Sequence, residues 1–337
     1  MIKIGVDANG GDKGVLVTVP AAMEAVREND DIEIVLFGDE TKIKPLLTNS
    51  ERISIVHTTK TMEMGEENPM MAVRKNPDAS LCMAMKAAKD GMVDAVVTSG
   101  PTQGVVLASH MIVRKLKEMD RVALCALIPN YDGKARLILD VGANVELRPE
   151  HFGEFAIFAT VAAKEVLGIK DPKVGYLNIG SEPGKGRALD KEAFQYLSNL
   201  EGINFYGNIE GDQVINSPTD IILCEGYGGN ISIKTLEGTA KCMGKMLKEE
   251  IKSSLGGKIG YLFMRKNLKR FSARLDAKKV GGAMVFGISK PVVKAHGNST
   301  SDIYAGAIRQ AKTMVKSNLI SKVVEKLPKK EREKEDE

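Results

Sequence analysis

Short apolar runs rich in Ile and Val punctuate the first 225 residues, at 2–6, 32–37, 53–56, 95–97, 122–128, 137–141, 174–179 and 221–224. They are too densely apolar for strands with one wet face, so they predict a sheet covered on both sides, as parallel sheets are. Stretches of helical period separate them at 18–27, 80–89, 150–167 and 191–200. Strand alternating with helix predicts βαβ units with right-handed crossovers: an α/β fold with a doubly wound, mostly parallel, Rossmann-like sheet. After residue 230 the pattern changes to a long helical stretch, a basic segment, a strand at 283–288 and a helix from about 301. The expectation is one large α/β catalytic domain over 1–325 with a basic helical insertion at about 241–280, then a charged, frayed tail at 326–337.

Glycine-rich turns fall where the runs end. They are Asp7-Ala8-Asn9-Gly10-Gly11-Asp12, Ser99-Gly100-Pro101-Thr102-Gln103-Gly104, Asp140-Val141-Gly142-Ala143-Asn144, Gly180-Ser181-Glu182-Pro183-Gly184-Lys185-Gly186 and Glu225-Gly226-Tyr227-Gly228-Gly229-Asn230. In a doubly wound sheet, ligands bind outside the carboxyl ends of strands. A glycine-rich turn entering a helix also presents backbone N–H groups at the positive end of the helix dipole, which suits phosphate or carboxylate. The plain alternative is that tight turn geometry alone demands the glycines; five such turns in one chain favour an anionic ligand. Asp7, Gly10, Gly11, Asp12, Asn144, Gly180, Ser181, Gly186, Gly228 and Gly229 are therefore candidate phosphate- or substrate-binding positions.

Two familiar nucleotide motifs fail. A P-loop needs four residues between its glycines and Ser or Thr after its Lys, whereas three separate Gly180 from Gly184 and Gly186 follows Lys185. A dinucleotide fingerprint beginning at Gly226-Tyr227-Gly228 would put its third glycine at Ile231. Neither an ATPase nor an ordinary dehydrogenase is expected.

Three side chains carry candidate chemistry. Lys185, with glycine on both sides, is either an unobstructed cation for phosphate or a solvated surface lysine. Asn230, after two glycines and before an apolar helix, either caps that helix or offers its amide to a carbonyl oxygen. His296, in Lys294-Ala295-His296-Gly297-Asn298-Ser299, can act as acid or base, can bind an anion with Gly297 and Asn298, or can merely close a loop. His57, His110 and His151 lack comparable company, and no Ser-His-Asp or Cys-His set assembles by spacing. That fits chemistry without an enzyme nucleophile.

Charge changes the picture at one place. Between Lys241 and Lys279 twelve Lys and Arg stand against three acidic residues, a local +9 that leaves −5 on the rest of a chain whose net charge is +4. Leu255, Ile259, Leu262 and Phe263 follow helical spacing within it, as do Leu268, Phe271 and Leu275, so apolar and basic faces separate on one or two helices joined near Arg265 and Asn267. This segment can pack on the core or on a second subunit, dock an acidic protein, or lie on a lipid surface, with Arg265, Lys266, Lys269 and Arg270 as contact candidates. Other features are exclusions. No run approaches the roughly 20 apolar residues of a spanning helix, and the N-terminus lacks the pattern of a secretory signal. Cys82, Cys125, Cys224 and Cys242 lack metal-type spacing and read as core thiols in a reducing cytoplasm. The absence of Trp and an aromatic content of 5% argue against stacking platforms for nucleic acid.

Several stretches together resemble the phosphate acyltransferase family: the amino-terminal Asp7-Ala8-Asn9-Gly10-Gly11-Asp12, then Leu139-Asp140-Val141-Gly142-Ala143-Asn144, Leu177-Asn178-Ile179-Gly180-Ser181-Glu182, Asn208-Ile209-Glu210-Gly211, Lys234-Thr235-Leu236-Glu237-Gly238-Thr239 and Lys294-Ala295-His296-Gly297. They occur in the family's order and span nearly the whole chain. The family's opening has Met where Asn9 stands, and its Ser-Ala-Gly-Asn-Thr-Gly turn is here Ser99-Gly100-Pro101-Thr102-Gln103-Gly104. The resemblance implies a fold like that of phosphotransacetylases and isocitrate/isopropylmalate dehydrogenases, and a homodimer. It also implies transfer of an acyl group from acyl carrier protein to inorganic phosphate in phospholipid synthesis, with no metal or redox cofactor. Lys185 and Asn230 match positions to which the family assigns catalytic and substrate-binding groups. Peripheral contact with the inner face of the membrane is a further expectation. A short-chain phosphotransacetylase using acyl-CoA and a non-catalytic lipid-synthesis scaffold are the alternatives.

Overall fold

The computed structural model describes residues 1–275 and 281–329. Among these residues eleven strands form one sheet: β1 (Ile2–Asp7), β2 (Ile32–Gly38), β3 (Ile53–His57), β4 (Ala95–Thr98), β5 (Ala123–Pro129), β6 (Ala135–Leu139), β7 (Lys173–Leu177), β8 (Asn204–Ile209), β9 (Ile221–Leu223), β10 (Ala283–Phe286) and β11 (Val292–Lys294). Their helices are α1 (Val15–Glu28), α2 (Glu40–Ile43), α3 (Pro69–Lys75), α4 (Ser80–Lys89), α5 (Thr102–Ala108), α6 (Pro149–Leu167), α7 (Ala188–Ser198), α8 (Gly226–Ser253), α9 (Leu255–Leu275), α10 (Ser301–Lys316) and α11 (Leu319–Lys326). Each apolar run read from the sequence is a strand. Edge strand β8, largely part-exposed and broken by Gly207, escaped that reading because it lacks a buried run.

The strands lie in the order β3-β2-β1-β4-β11-β10-β5-β6-β9-β7-β8. Most neighbours are parallel, as expected for an α/β sheet. The exceptions fix the molecule's geometry: β10 is antiparallel to β11 and to β5, and β5 is antiparallel to β6. Consequently β1 to β5 and β11 run one way while β6 to β10 run the other. The carboxyl ends of the two halves therefore lie at opposite edges of one sheet.

Alternating strand residues build a core on each face. Ile4, Val6 and Leu36 face one layer, where α6 contributes Phe152, Phe155 and Phe158 and α10 contributes Tyr304 and Ile308. Val96, Ile138 and Val292 face the other, with Leu81 and Met85 of α4 and Val105 of α5. Helix α6 is buried along most of its length, and Phe158 stacks on Phe286 at 4.1 Å between ring centroids. Such a ring contributes several kcal/mol by removing apolar area from water.

Helix α8 behaves differently. Its only fully buried residues are Gly226 and Gly229, and beyond Leu236 it projects from the sheet with α9 folded back along it. The break falls at Ser254, whose extended backbone ends α8. The chain is helical through Arg265 and Asn267, so the expected joint there is corrected. Apolar residues of this segment do not pack on the core: Leu262 is 72% exposed and Phe263 83%. Cys242, expected inside with the other three cysteines, is exposed on α8. The basic segment beyond Leu275 up to residue 280, and the tail from 330, lie outside the described residues.

Candidate active site

The turns after β6, β7 and β9 form one assembly. Asp140 is fully buried, and its carboxylate accepts N–H groups from Leu124, Gly142, Ala143 and Asn144 at 2.7–3.2 Å. Burial pushes this carboxyl above its ordinary value, and these hydrogen bonds oppose the shift. The Asn144 amide is committed to the Val122 carbonyl at 2.6 Å and to Asp140 at 2.9 Å, while the Asn144 carbonyl accepts the Gly226 N–H. Asn144 thus ties the turn to the head of α8.

That head is where Asn230 sits. Helix α8 begins at Gly226 with Glu225 at the N-cap position, so Asn230 lies inside the helix and does not cap it. Its amide nitrogen rests over Gly142, 2.8 Å from where a Cβ would be. Gly142 has φ 131°, a conformation side chains avoid. Among the described residues the Asn230 amide has no hydrogen-bond partner. Gly229 packs against the Asp140 carbonyl, where any side chain would collide, and Gly228 lies beside the Glu225 carboxylate.

The loop after β7 joins this assembly through Arg187, whose guanidinium bonds Asp190 at 2.9 Å and reaches Glu225 at 3.3 Å. Two buried asparagines hold the loop: Asn178 donates to the Lys185 carbonyl at 3.2 Å and Asn208 to the Glu182 carbonyl at 2.9 Å. Gly186, at φ 89°, packs against Asn178 and Asp190. The Lys185 stem crosses Gly180, and its half-exposed ammonium lies a loose 3.9 Å from Glu182. Ser181 is exposed beside it. Arg187, Glu225 and Asn208 were missed in the sequence because their meaning comes from contacts between separate loops.

The turns after β1, β4 and β11 form a second assembly at the other edge. Asp7, expected to bind an anion, is 1% exposed; it accepts the Ser80 hydroxyl at 2.6 Å and the Thr98 hydroxyl at 2.7 Å. It props the turn from below, its carboxylate supplied with hydrogen-bond donors from within the fold. Burial raises its pKa against those hydrogen bonds. Gly10 packs on Asp7, and Gly11, at φ 84°, packs on Ser99. Ser99 donates to the Gly10 carbonyl at 2.9 Å, and the Asp12 N–H donates to the Gly297 carbonyl at 3.0 Å. The exposed His296 accepts the Asn298 N–H at its Nδ1, 3.2 Å away, and its carbonyl accepts the Ser299 hydroxyl at 2.7 Å. The strand directions place the turns bearing His296, Gly297, Asn298, Gly10, Gly11 and Asp12 at the other edge of the sheet from those bearing Lys185 and Asn230.

Helix α8 connects the two assemblies. From Asn230 to Glu237 it advances about 10 Å. There it borders a cleft of about 1600 Å³ between α8 and α9, lined by Leu236, Met243, Leu247, Tyr261 and Phe271 with Lys241, Lys248, Arg265 and Lys269, and also by His296 and Asn298. Lys266 and Arg270 lie on the same helix as Arg265 and Lys269. No group of three His, Cys, Asp or Glu side chains converges as a metal site would among the described residues.

Residues 2–322 match the family described as Fatty acid synthesis protein. A Phosphate acyltransferase of Acholeplasma laidlawii (strain PG-8A) is 47% identical over 325 residues, 96% of this chain and 97% of its own. The chain belongs to the phosphate acyltransferase family. A Phosphate acyltransferase of Bacillus thuringiensis (strain Al Hakam) is 39% identical over 330 residues, 97% of this chain and 99% of its own. The fold is also that of a phosphotransacetylase from Streptococcus pyogenes, at TM-score 0.59 with 18% identity over 93% of this chain and 94% of that one. A branched-chain phosphotransacylase from Enterococcus faecalis V583 matches at TM-score 0.56 with 15% identity, over 94% of this chain and all of that one. As a phosphate acyltransferase family member the chain is an acyltransferase, and both assemblies of turns fall within the matched residues.

Proposed function

We propose that this acyltransferase moves a fatty acyl group from the thioester of acyl carrier protein to inorganic phosphate, making acyl phosphate for phospholipid synthesis. The observation that carries this reading is the Asn230 amide at the head of α8, without a hydrogen-bond partner among the described residues and joined through Glu225 and Arg187 to the loop bearing Lys185. Phosphate is held by the Lys185 ammonium and backbone N–H groups of the 180–186 turn. Its oxygen attacks the thioester carbonyl, a C–O bond forms, and the carbonyl oxygen takes up negative charge. Asn230 donates to that oxyanion, a contribution of roughly 3 kcal/mol for one well-placed donor. The C–S bond then breaks and the thiolate leaves, which needs no strong general acid. Holding both reactants in reach supplies further kcal/mol by converting a bimolecular encounter into one within the site.

His296, at the other edge of the sheet, takes no part in that attack. The basic α8–α9 hairpin serves the acyl donor: Arg265, Lys266, Lys269 and Arg270 meet the acidic carrier protein or anionic headgroups. A homodimer that covers part of the exposed hairpin, in the cytoplasm with peripheral membrane contact, completes the proposal.

The test follows radiolabelled phosphate into acyl phosphate with palmitoyl carrier protein and palmitoyl-CoA side by side. The proposal expects product from both, with the higher kcat/KM for the carrier protein. The fold's likeness to phosphotransacetylases favours a second reading, a short-chain enzyme using acyl-CoA. Preference for acetyl-CoA over both palmitoyl donors would establish that reading, and no product from any donor would leave a scaffold.

A further inference from the structure

Two anchored units meet at the candidate active site. The head of α8, which carries Asn230, is fixed to the Asp140 turn by the Gly226 N–H on the Asn144 carbonyl and by Gly229 against the Asp140 carbonyl. The loop after β7, which carries Lys185, is fixed by Asn178 and Asn208 through the Lys185 and Glu182 carbonyls. Strands β7 and β9 are paired neighbours, so the two units start from adjacent strand ends. Among the described residues one ion pair, and no hydrogen bond, crosses between residues 178–187 and residues 225–231: Arg187 Nη2 with Glu225 Oε1 at 3.3 Å.

Both ends of that pair are ordered by other contacts. Arg187 is the N-cap residue of α7, and Asp190, three residues on, accepts its backbone N–H at 2.6 Å, its Nε at 3.0 Å and its Nη2 at 2.9 Å. The buried Tyr176 hydroxyl donates to the same carboxylate at 2.8 Å and fixes it in turn. Such a fork sets the plane of a guanidinium, which the single rotating ammonium of a lysine cannot do. The Glu225 side chain is only 13% exposed and rests against Gly228 in the first turn of α8. Exposed ion pairs contribute little when two free side chains must be ordered to form them; here the ordering is already done by Asp190 and by the head of the helix.

We propose that Arg187 is a positioning residue: its pair with Glu225 sets the spacing between Lys185 and Asn230, and with it the approach of phosphate to the acyl carbonyl. The proposal rests on the roles given above to those two residues. Arg187 and Glu225 touch neither reactant. A nucleophile must come to about 3–3.5 Å from the carbon it attacks, and a misplacement of about 1 Å can lower the rate about 100-fold. Releasing the pair leaves the Lys185 loop and the Asn230 turn each intact, so it impairs the step that uses both and not the binding that uses one.

The experiment compares wild type with Glu225→Gln, Arg187→Gln and the double variant, each first shown to be folded by its thermal transition. Glu225→Gln is the cleaner probe because the Arg187–Asp190 fork survives it. Each single variant should lower kcat about tenfold or more while the phosphate KM stays within about twofold, the pattern of an effect confined to the transition state. The double variant should be no worse than Arg187→Gln, since members of one pair are not additive. An unchanged kcat in folded Glu225→Gln overturns the proposal, as do additive losses. So does a lowered phosphate KM at unchanged kcat, which would mean that Glu225 only repels the anion. Hydrogen exchange with inorganic phosphate reads the same link without turnover. Phosphate should slow exchange at residues 180–187 in wild type and Glu225→Gln alike, but at residues 226–231 in wild type only. Equal protection of 226–231 in both proteins, or none in wild type, overturns the proposal. Absence of turnover in wild type with that protection present counts against the acyl-transfer reading alone.

Discussion

At the scale of single residues, the site consists of a few unspent groups on a heavily spent scaffold. Asp7 and Asn144, candidate ligands in the sequence, have their side chains hydrogen-bonded to neighbouring groups, as do Asp140, Asn178 and Asp190. The Asn230 amide has no such partner among the described residues, so Asn230→Ala should lower kcat about 100-fold with little change in KM, the signature of a donor acting in the transition state; a change in KM alone would make it a ground-state binding group. Lys185→Ala should raise the phosphate KM about tenfold or more by removing a charge-assisted partner, and steady-state kinetics at varied phosphate check it. His151 offers a pH test. Buried at the start of α6, it accepts the Arg148 N–H at 3.0 Å, and desolvation, then the charges of Arg148 and Arg121, lower its pKa from 6.5. Below pH 6.5 the unfolded chain takes up a proton that the folded chain refuses, so stability falls with falling pH until the lowered pKa is reached. His151→Gln keeps an acceptor for Arg148, and urea unfolding between pH 7 and pH 5 should show a flatter profile for it than for wild type.

At the scale of elements, α8 does two jobs with one run of residues. Its first turn is welded to the Asp140 turn by close glycine contacts, and its last four turns stand in solvent. The two ends respond in opposite directions to the same substitution. Gly229→Ala drives a methyl group into the Asp140 carbonyl and should destabilise by about 1–3 kcal/mol, with loss of turnover as Asn230 shifts. Gly238→Ala meets nothing within 4 Å and should stabilise by up to about 1 kcal/mol through helix propensity. Thermal melting of the two variants reads both signs. The sequence shows a long helical stretch here but not this division, because propensity is local and the welding partner, Asp140, lies far away along the chain.

At the scale of the molecule, the exposed hairpin governs association. Leu255, Ile259, Leu262, Phe263 and Phe271 are all more than half exposed, forming an apolar surface of the kind that marks contact with a partner or a lipid boundary. Sedimentation at micromolar concentration should find a homodimer; a monomer would remove the expected subunit contact. Reversing Lys266, Lys269 and Arg270 to Glu separates the remaining roles of the basic face. Loss of flotation with anionic vesicles alone identifies lipid as its partner, a raised carrier-protein KM alone identifies the carrier, and change in neither rules out both. Added salt should weaken whichever contact is real, since exposed charges are screened within about 8 Å at physiological ionic strength.

The sequence by itself determined the α/β class, all but the weakest strands and the positions of five glycine turns, because apolar period and turn chemistry are local properties of the chain. Its motifs also determined the family. Only the tertiary structure decided which turns belong together. The strand directions reverse at β5–β6 and around β10, and that reversal sends the Lys185 and Asn230 turns to one edge and the His296 turn to the other. Strand direction depends on pairing between segments far apart in the chain, so no local pattern records it.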